Sequence, residues 1–455
     1  MSSTTSAANL DAVFKAYDVR GTVPDQVDDH LARAVGSAFV VVTGAAGVVV
    51  GHDMRPSSPG MARAFADGAT SAGADVTMIG LASTDQLYFA SGHLGLPGAM
   101  FTASHNPARY NGIKMCRAHA VPLGRDAGLS AVRDLVASGR LPVAETPGRV
   151  TERDVLAAYG EHLRALAPVR GRRLKVVVDA GNGMAGHTAP AVLDGLDLDV
   201  TPLYYELDGT FPHHEANPID PANLADLQAL VCRTGADVGL TFDGDADRCF
   251  LVDERGEPVD PSAVTALIAS RELEREPGAT VIHNLITSRA VPELVTELGG
   301  TPVRTRVGHS FIKATMAETD AVFGGEHSGH FYFRDFWRAD SGMLAALHVL
   351  AALAASPTPL SDLLREFSRY ESTGEINSTV DDQDAVLAEI EQAYAGRDDV
   401  DVDHLDGLTV SHPGWWFNVR ASNTEPLLRL NAEASDRPTL DRVRDDVLAM
   451  IRRTR

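Results

Sequence analysis

Residues 223–253 read NLADLQALVCRTGADVGLTFDGDADRCFLVD. The first dozen carry leucine and valine at helical spacing, Gly235 supplies a helix stop, and 238–242 has the length and character of a buried strand. A polar loop, 243–248, then turns the chain into a second strand over 249–252. The same succession is legible elsewhere, with strands over 47–50 (GVVV), 175–178 (KVVV) and 279–283 (ATVIH), and helices over 53–74, 154–167 and 290–298. Such alternation predicts βαβ units and mostly parallel sheets. A faint internal echo accompanies it. Ala72-Gly73-Ala74-Asp75-Val76, Thr234-Gly235-Ala236-Asp237-Val238 and Glu318-Thr319-Asp320-Ala321-Val322 each close a helical stretch and open a strand. The expectation is a repeated unit of helix, turn, strand and functional loop.

The chain has 455 residues, which at roughly 100–200 residues per domain predicts about three or four domains. Pro- and Gly-containing stretches at 141–148, near 253–258 and at 369–374 mark candidate boundaries, and 381–455 mixes helix and strand. Acidic residues outnumber basic ones, 62 to 40, for a net charge of −22. That balance argues against nucleic-acid binding, which needs a surplus of Lys and Arg to displace counterions. It also makes any local cluster of basic groups informative. Cys116, Cys232 and Cys249 are too few and scattered for a disulfide framework or zinc site, and are expected as buried small hydrophobes. The longest apolar stretches, 38–50 and 343–355, fall short of the roughly 18 residues that a membrane span needs. Residues 1–10 have neither a basic nor an apolar segment of a signal peptide. A cytoplasmic protein without a membrane partner is expected.

The sharpest chemical signal is Asp243-Gly244-Asp245-Ala246-Asp247-Arg248. In an extended loop, alternate carboxylates point the same way. Two such charges about 4 Å apart repel by roughly 4 kcal/mol at an effective dielectric near 20, so the cluster demands a cation. Oxygen-only ligation suits Mg²⁺. A calcium-loop reading fails, because Arg248 stands where the turn would need glycine.

Next comes Thr102-Ala103-Ser104-His105-Asn106-Pro107, followed by Asn111-Gly112-Ile113-Lys114. Asn-Pro forces a turn that exposes the Ser104 hydroxyl. There is no Gly-x-Ser-x-Gly elbow, and adjacent Ser and His side chains are expected to diverge, so an acyl-transfer hydrolase is disfavoured. Beside a Mg²⁺ site, the serine reads as a phosphate carrier, with His105 and Lys114 near enough in sequence to move protons.

Two further loops add binding groups. Glu326 and Ser328 in Gly325-Glu326-His327-Ser328-Gly329-His330 suit adjacent sugar hydroxyls. Arg420-Ala421-Ser422-Asn423-Thr424-Glu425-Pro426 with Arg429 offers two guanidinium groups, two hydroxyls and an amide, a phosphate cradle in an acidic protein; a helix cap is the competing reading of 422–424. Phe14-Lys15-Ala16-Tyr17-Asp18-Val19-Arg20-Gly21 and His52-Asp53-Met54-Arg55-Pro56-Ser57-Ser58 contribute more basic and hydroxyl groups, each a weak signal alone. Asn182 reads as a tight turn, and Trp337, Trp415 and Trp416 as packing residues.

With these loops in this order, the chain resembles the α-D-phosphohexomutase family, in particular its phosphomannomutase/phosphoglucomutase branch. The matching motifs are 15–21, 102–107, 243–248, 325–330 and 420–426, spread over nearly the whole chain. The resemblance implies an α/β protein: three similar α/β domains with mixed sheets plus a smaller C-terminal α+β domain around a central cleft. Segment 1–150 would carry the phosphoserine loop, 151–254 the metal loop, 255–368 the sugar-binding loop and 369–455 the phosphate-binding loop. It implies that Ser104 is phosphorylated and that its phosphoserine oxygen, with Asp243, Asp245 and Asp247, holds Mg²⁺. Arg248 would lie beside the phosphoryl group, Lys114 would be the general acid and base, and His105 and Arg20 would stand near the transferring group. Tyr17, Glu326, Ser328, His309, Arg420, Ser422, Asn423, Thr424 and Arg429 would bind substrate.

The implied reaction interconverts hexose 1-phosphate and hexose 6-phosphate, with hexose 1,6-bisphosphate as intermediate and activator. Small sugar phosphates would be the partners of a monomer or weak homodimer. Ala246, Thr102 and the stretch 336–342 look most like the mannose/glucose branch, with mannose preferred and glucose possible. A phosphoglucosamine mutase and a Mg²⁺-dependent sugar-phosphate phosphatase are the alternatives. One departure is visible: the Lys of the early third domain that reaches the substrate in some members of the family is missing from 284–289, where Arg289 is the candidate substitute.

Overall fold

Val48, Val49 and Val50 are fully buried because the strand that carries them has a neighbour on each side. The computed structural model describes residues 7–421 and 427–453. The first sheet holds β1 (Asp18–Thr22), β2 (Gly47–His52), β3 (Asp75–Leu81), β4 (Gly98–Phe101), β5 (Tyr110–Arg117), β6 (Val121–Pro122) and β7 (Val150–Glu152), in the order β1-β5-β4-β2-β3-β7 with β6 on β5. β2 is parallel to β3 and β4, while β5 is antiparallel to β4 and β1. The second sheet, β11-β10-β8-β9, is built from β8 (Leu174–Asp179), β9 (Leu198–Leu203), β10 (Val238–Phe242) and β11 (Cys249–Asp253). Its central β8 is parallel to β9 and β10, and β11 is antiparallel to β10. In the third, β12 (Thr280–Asn284) lies parallel between β13 (Thr301–Thr305) and β14 (Phe323–Gly325), and β15 (Phe331–Phe333) forms an antiparallel hairpin with β16 (Ala339–Asp340). The fourth is antiparallel throughout, β17-β21-β20-β19-β18, from β17 (Glu371–Thr379), β18 (Asp401–Asp403), β19 (Leu408–His412), β20 (Trp415–Ala421) and β21 (Leu427–Ala434). It has its own core, in which Phe417, Val419, Leu428 and Leu430 meet Ile390, Leu440 and Val447 of its helices Gln383–Tyr394 and Arg437–Arg453.

The architecture is thus three α/β domains with mixed sheets and a fourth, α+β domain whose sheet is antiparallel. Two compact units group these parts: Met1–Val259 with Ser328–Leu363, and Asp260–His327 with Leu364–Arg455. The first contains the first two sheets and the β15–β16 hairpin; the second contains β12 to β14 and the terminal sheet.

The strands expected at 47–50, 175–178 and 279–283 are β2, β8 and β12, and the helices expected at 154–167, 223–234 and 290–298 are Leu156–Leu166, Ala225–Thr234 and Ala290–Glu297. The helix expected from 53 starts only at Ser58. Asp53 is fully buried and accepts from Arg55 N (2.9 Å) and Ser58 Oγ (2.6 Å), which folds 53–57 into a turn. Asn182 does sit in a left-handed turn, φ 59°. Of the cysteines, Cys116 and Cys249 are buried, but Cys232 is exposed, because the inward face of its helix is taken by Leu227 and Val231. The apolar stretch 343–355 is the helix Gly342–Ala355, buried along nearly its whole length, whereas 38–50 divides between the helix Asp29–Thr43 and β2. Among the described residues, no helix is long and apolar enough to cross a membrane.

The sequence echo holds for two of its three copies. Gly235 (φ 61°) and Asp320 (φ 51°) end helices and lead into β10 and β14, each followed by a polar loop. The first copy is displaced by one strand. Gly73 leads into β3, but the strand equivalent to β10 and β14 is β4, and the Ser104 loop follows β4. Its helix stop is Gly95 (φ 66°), whose following Leu-Pro disguises the pattern.

One buried polar node ties the first unit together. Asp85, in the first turn of the helix Thr84–Leu94, accepts from the hydroxyls of Ser83, Tyr159 (2.7 Å) and Ser341 (2.6 Å), which come from three segments far apart in sequence. Burial pushes its carboxyl up to about 6, against the pull of the three hydroxyls. A raised carboxyl stabilises the fold while it is protonated in the native state; that contribution is full below about pH 4 and is lost as pH rises through about 6. From pH 5 to pH 8 the loss amounts to roughly 1.4 kcal/mol. Urea unfolding at both pH values should show wild type losing about that much more stability than Asp85→Asn; parallel losses would mean that Asp85 does not titrate in this window.

Candidate active site

The Ser104 loop leaves β4 at Phe101 and folds back on itself. Thr102 Oγ1 accepts from Ser104 N (2.9 Å), Asn106 N donates to Ala103 O (3.0 Å), and Ser104 is left-handed with φ 50°. A serine pays strain for that backbone and keeps it only where the surroundings impose it. The conformation has a chemical result: His105 Nδ1 lies 3.2 Å from Ser104 Oγ. The expectation that adjacent side chains diverge is therefore overturned, since it assumed an ordinary right-handed or extended backbone. Burial pulls the imidazole well below its usual range, with Arg248 and Arg20 pushing the same way, so His105 is neutral.

The acidic loop is a tight turn rather than an extended segment. Ala246 N donates to Asp243 O (3.0 Å), Ala246 has φ 60°, and β10 and β11 pair up to Phe242 opposite Cys249. The carboxylates converge because the turn brings them round, not because of strand alternation. Gly244 is required here: a Cβ would stand 2.5 Å from Ser104 O, so the two loops meet at a position with no room for a side chain.

Asp243 Oδ2 accepts from Ser104 Oγ (2.7 Å) and Arg248 Nε (2.8 Å). Asp245 Oδ2 accepts from Thr84 Oγ1 (2.6 Å) and Lys114 Nζ (2.7 Å), and the same ammonium reaches Asp247 Oδ2 at 2.5 Å. All three carboxylates are buried, and each offers an oxygen within 4.8 Å of the others. Burial raises Asp243 and Asp247, with Asp245 adding to the rise in both; for Asp245 itself, Lys114 and Thr84 overcome burial and hold the carboxyl well below the usual range. Burial also opposes the charge on Lys114, but the three aspartates outweigh it and keep the ammonium protonated.

Asp245 Oδ1, Asp247 Oδ1 and Arg248 Nη2 are buried and have no hydrogen-bond partner among the described residues. Two orphaned carboxylate oxygens in an all-oxygen set, with Ser104 Oγ beside them, fit a hard divalent cation such as Mg²⁺.

Arg20 lies on β1, whose Asp18 is paired with Lys114 of β5; its guanidinium donates to Asn106 Oδ1 (2.8 Å) and Asp18 Oδ2 (2.5 Å). Tyr17 precedes it, half-buried. Ser328 Oγ stands 2.9 Å from His330 Nδ1, and His330 Nε2 is 3.8 Å from Asp247 Oδ1. No role was expected of His330, whose only sequence signal is its place at the end of a Gly-bounded loop. Arg55, also passed over, sits fully buried behind the Ser104 loop.

In the second unit, Glu326 is buried at the end of β14, where Oε1 accepts from Asn284 Nδ2 (3.3 Å) and Gly308 N (3.2 Å). Arg420 and Arg429 face each other across β20 and β21. Both turn to Glu375 of β17, Arg420 Nη2 at 2.5 Å and Arg429 Nη1 at 3.5 Å, an acidic partner that no motif announced. Ser422, Asn423 and Thr424, and the side chain of His309, lie outside the described residues. Arg289, the candidate substitute for the missing lysine, is engaged elsewhere. Its guanidinium donates to His412 O (3.0 and 3.1 Å) and Pro413 O (2.9 Å), so its donors are committed to carbonyls before the β20 strand.

Models of the phosphoglucomutase/phosphomannomutase family match four successive segments: alpha/beta/alpha domain I over residues 11–140, domain II over 157–256, domain III over 260–370 and the C-terminal domain over 375–450. A protein of Xanthomonas campestris pv. campestris named "Phosphohexose mutases" is 40% identical over 423 residues, covering 92% of this chain and 94% of its own length. The phosphomannomutase of Escherichia coli strain K12 is 38% identical over 452 residues, 97% of each chain. A crystal structure of a phosphoglucomutase/phosphomannomutase family protein from Burkholderia thailandensis matches with TM-score 0.89 at 33% identity, again over 97% of both chains.

Thr84 grips Asp245 twice, through Oγ1 on the carboxylate and through N on the backbone carbonyl (2.9 Å). Partners of this kind orient metal ligands. Thr84→Val should weaken Mg²⁺ binding roughly 10–100-fold in titration calorimetry; an unchanged Kd would remove Thr84 from the site.

Proposed function

Since the chain belongs to the phosphoglucomutase/phosphomannomutase family, we propose that it interconverts hexose 1-phosphate and hexose 6-phosphate through a phosphorylated Ser104, with mannose preferred and glucose accepted. The observation that carries this reading is the Ser104 hydroxyl, 2.7 Å from Asp243 and 3.2 Å from His105, beside two orphaned carboxylate oxygens and an unpaired arginine nitrogen. Asp243, Asp245, Asp247 and the phosphoserine oxygen would hold Mg²⁺, whose charge neutralises the phosphoryl oxygens during transfer.

In the first half-reaction, the bond from Ser104 Oγ to phosphorus breaks as a bond from phosphorus to the free sugar hydroxyl forms. The hydroxyl gives up its proton, and Oγ takes one back. Lys114 is the acid and base of this scheme; clamped between two carboxylates it enters as the donor, and neutral His105 is the available acceptor. Arg248, through its free Nη2, and Arg20 flank the group in flight. The product is hexose 1,6-bisphosphate, whose other phosphate then returns to Ser104 as the isomerised monophosphate leaves; the same bisphosphate reloads any unphosphorylated enzyme.

Glu326 and Ser328 hydrogen-bond sugar hydroxyls O3 and O4, which are oriented alike in mannose and glucose. Tyr17, His309, Arg420, Ser422, Asn423, Thr424 and Arg429 bind the remainder of the substrate, chiefly the phosphate that is not reacting. On this reading the protein works in the cytoplasm on free sugar phosphates, as a monomer or weak homodimer.

Phosphorus NMR of the protein with Mg²⁺, a trace of hexose 1,6-bisphosphate and mannose, glucose or glucosamine 1-phosphate in separate tubes tests the reaction. The 6-phosphate should grow in, fastest for mannose; inorganic phosphate alone would make the protein a phosphatase. Ser104→Ala should abolish turnover while retaining sugar-phosphate binding, and undiminished turnover would end the phosphoserine mechanism.

A further inference from the structure

We propose that Arg55 is a positioning residue for the phosphoryl transfer described above, setting the backbone of the Ser104 loop so that Oγ meets Asp243 and His105; the proposal rests on that reading of Ser104. The guanidinium has five N–H donors, and all five are used. Nη2 donates to Ser104 O (2.9 Å) and Asn106 O (2.7 Å), Nη1 to Pro107 O (3.0 Å) and Tyr110 O (3.1 Å), and Nε to Asp53 Oδ2 (3.2 Å). Four carbonyls, three of the Ser104 loop and that of Tyr110 at the start of β5, therefore point inward at one planar cation. Without it they would lose that shared cation in a largely buried space, Pro107 O keeping its bond from Tyr110 N (2.9 Å). That convergence accompanies the left-handed Ser104, and the left-handed Ser104 in turn brings its hydroxyl to 3.2 Å from the neighbouring imidazole.

The arrangement is braced from the second domain. A Cβ at Gly209 would stand 2.6 Å from Arg55 Cα, so the chain passes directly against the arginine backbone. The Phe211 ring covers the guanidinium, 5.1 Å from ring centre to Cζ. The segment bearing them is itself anchored: Asn182 Nδ2 donates to Glu206 O (2.8 Å), Asp208 N to Asn182 O (3.0 Å), and His214 Nε2 meets buried Asp179 at 3.1 Å. Asp53, closed by Ser58 and the Arg55 backbone, balances the charge. Lysine cannot replace this residue, since three donors radiating from one nitrogen do not match a planar fork that serves two pairs of carbonyls.

The test uses Mg²⁺-loaded protein whose Ser104 has been phosphorylated with hexose 1,6-bisphosphate. Rapid mixing with mannose 1-phosphate, quenching and mass spectrometry give the rate at which phosphoserine is lost. Calorimetry on the dephosphorylated protein gives the sugar-phosphate Kd. In Arg55→Lys, transfer should slow roughly a hundredfold, the scale of a one-ångström misplacement, with Kd within a few-fold of wild type. In Phe211→Ala, which keeps the five hydrogen bonds but opens the guanidinium to water, transfer should slow less, by several-fold, with Kd again unmoved. Wild-type transfer rates in Arg55→Lys would overturn the proposal, as would parallel losses of transfer and binding. If circular dichroism shows Arg55→Lys unfolded, Phe211→Ala decides: a wild-type transfer rate there also overturns it. Wild-type protein that never loses phosphate from Ser104 to the sugar would instead sink the parent reading, and the positioning role with it.

Discussion

Three carboxylates withdrawn from water within a few ångströms of one another are the constraint around which the first unit is arranged. Asp243, Asp245 and Asp247 are almost wholly buried, and charges so placed must be compensated where they stand. Lys114 reaches two of them from β5, Arg248 and the Ser104 hydroxyl satisfy the third, and the start of the helix Thr84–Leu94 presents its N–H end and a threonine to Asp245. Each compensating group belongs to a different element, so the strands must hold their register for the cluster to exist. The same requirement explains why Gly244 has no side chain and why the serine loop is folded so tightly against it. Compensation also stops short of completion: two oxygens and a guanidinium nitrogen are left over, which is what separates a reactive site from a buried ion pair.

The fold was legible where the chemistry is local. Runs such as 47–50 and 175–178 can only be strands when both faces and both edges are covered, and their valines, 48–50 and 176–178, are buried accordingly. The Asp243–Arg248 loop announced its carboxylates by type and spacing, although the turn at Ala246 converges them by a route that strand alternation does not describe. What stayed hidden depends on contacts distant in sequence. Arg55 looked like one more basic residue, since the loop carbonyls it collects lie about fifty positions away. Glu375 carried no signal because its partners are set by the β17–β21 pairing. Arg289 looked like a binding group because a sequence cannot show that its donors are already committed to carbonyls of the terminal domain. Backbone handedness was the other blind spot: Ser104 and its neighbouring histidine meet only because φ at 104 is positive.

The displaced first copy of the sequence echo is instructive in the same way. The three parallel cores share one plan, a central strand flanked by two parallel neighbours, and in each the polar loop leaves the same flanking strand: β4, β10 and β14. Glycine turns mark helix ends generally, so the echo found the repeat but could not find its phase. Phase is a property of strand order, which only the hydrogen-bonded sheets reveal.

That shared plan has a bearing on how such a protein can change over time. A loop at the end of a flanking strand is held by a scaffold that does not depend on the loop's own sequence. The serine and acidic loops are locked to each other through Gly244 and Asp243 and have little freedom to drift. The loop after β14 is held at both ends, Glu326 by Asn284 and Gly308 and Gly329 by Cys249, whose N donates to Gly329 O (3.1 Å). One plan used three times thus carries three loops of different chemistry, two of them fixed by mutual contact. A change of side chain within one loop can therefore alter what that loop presents without disturbing the strand that carries it.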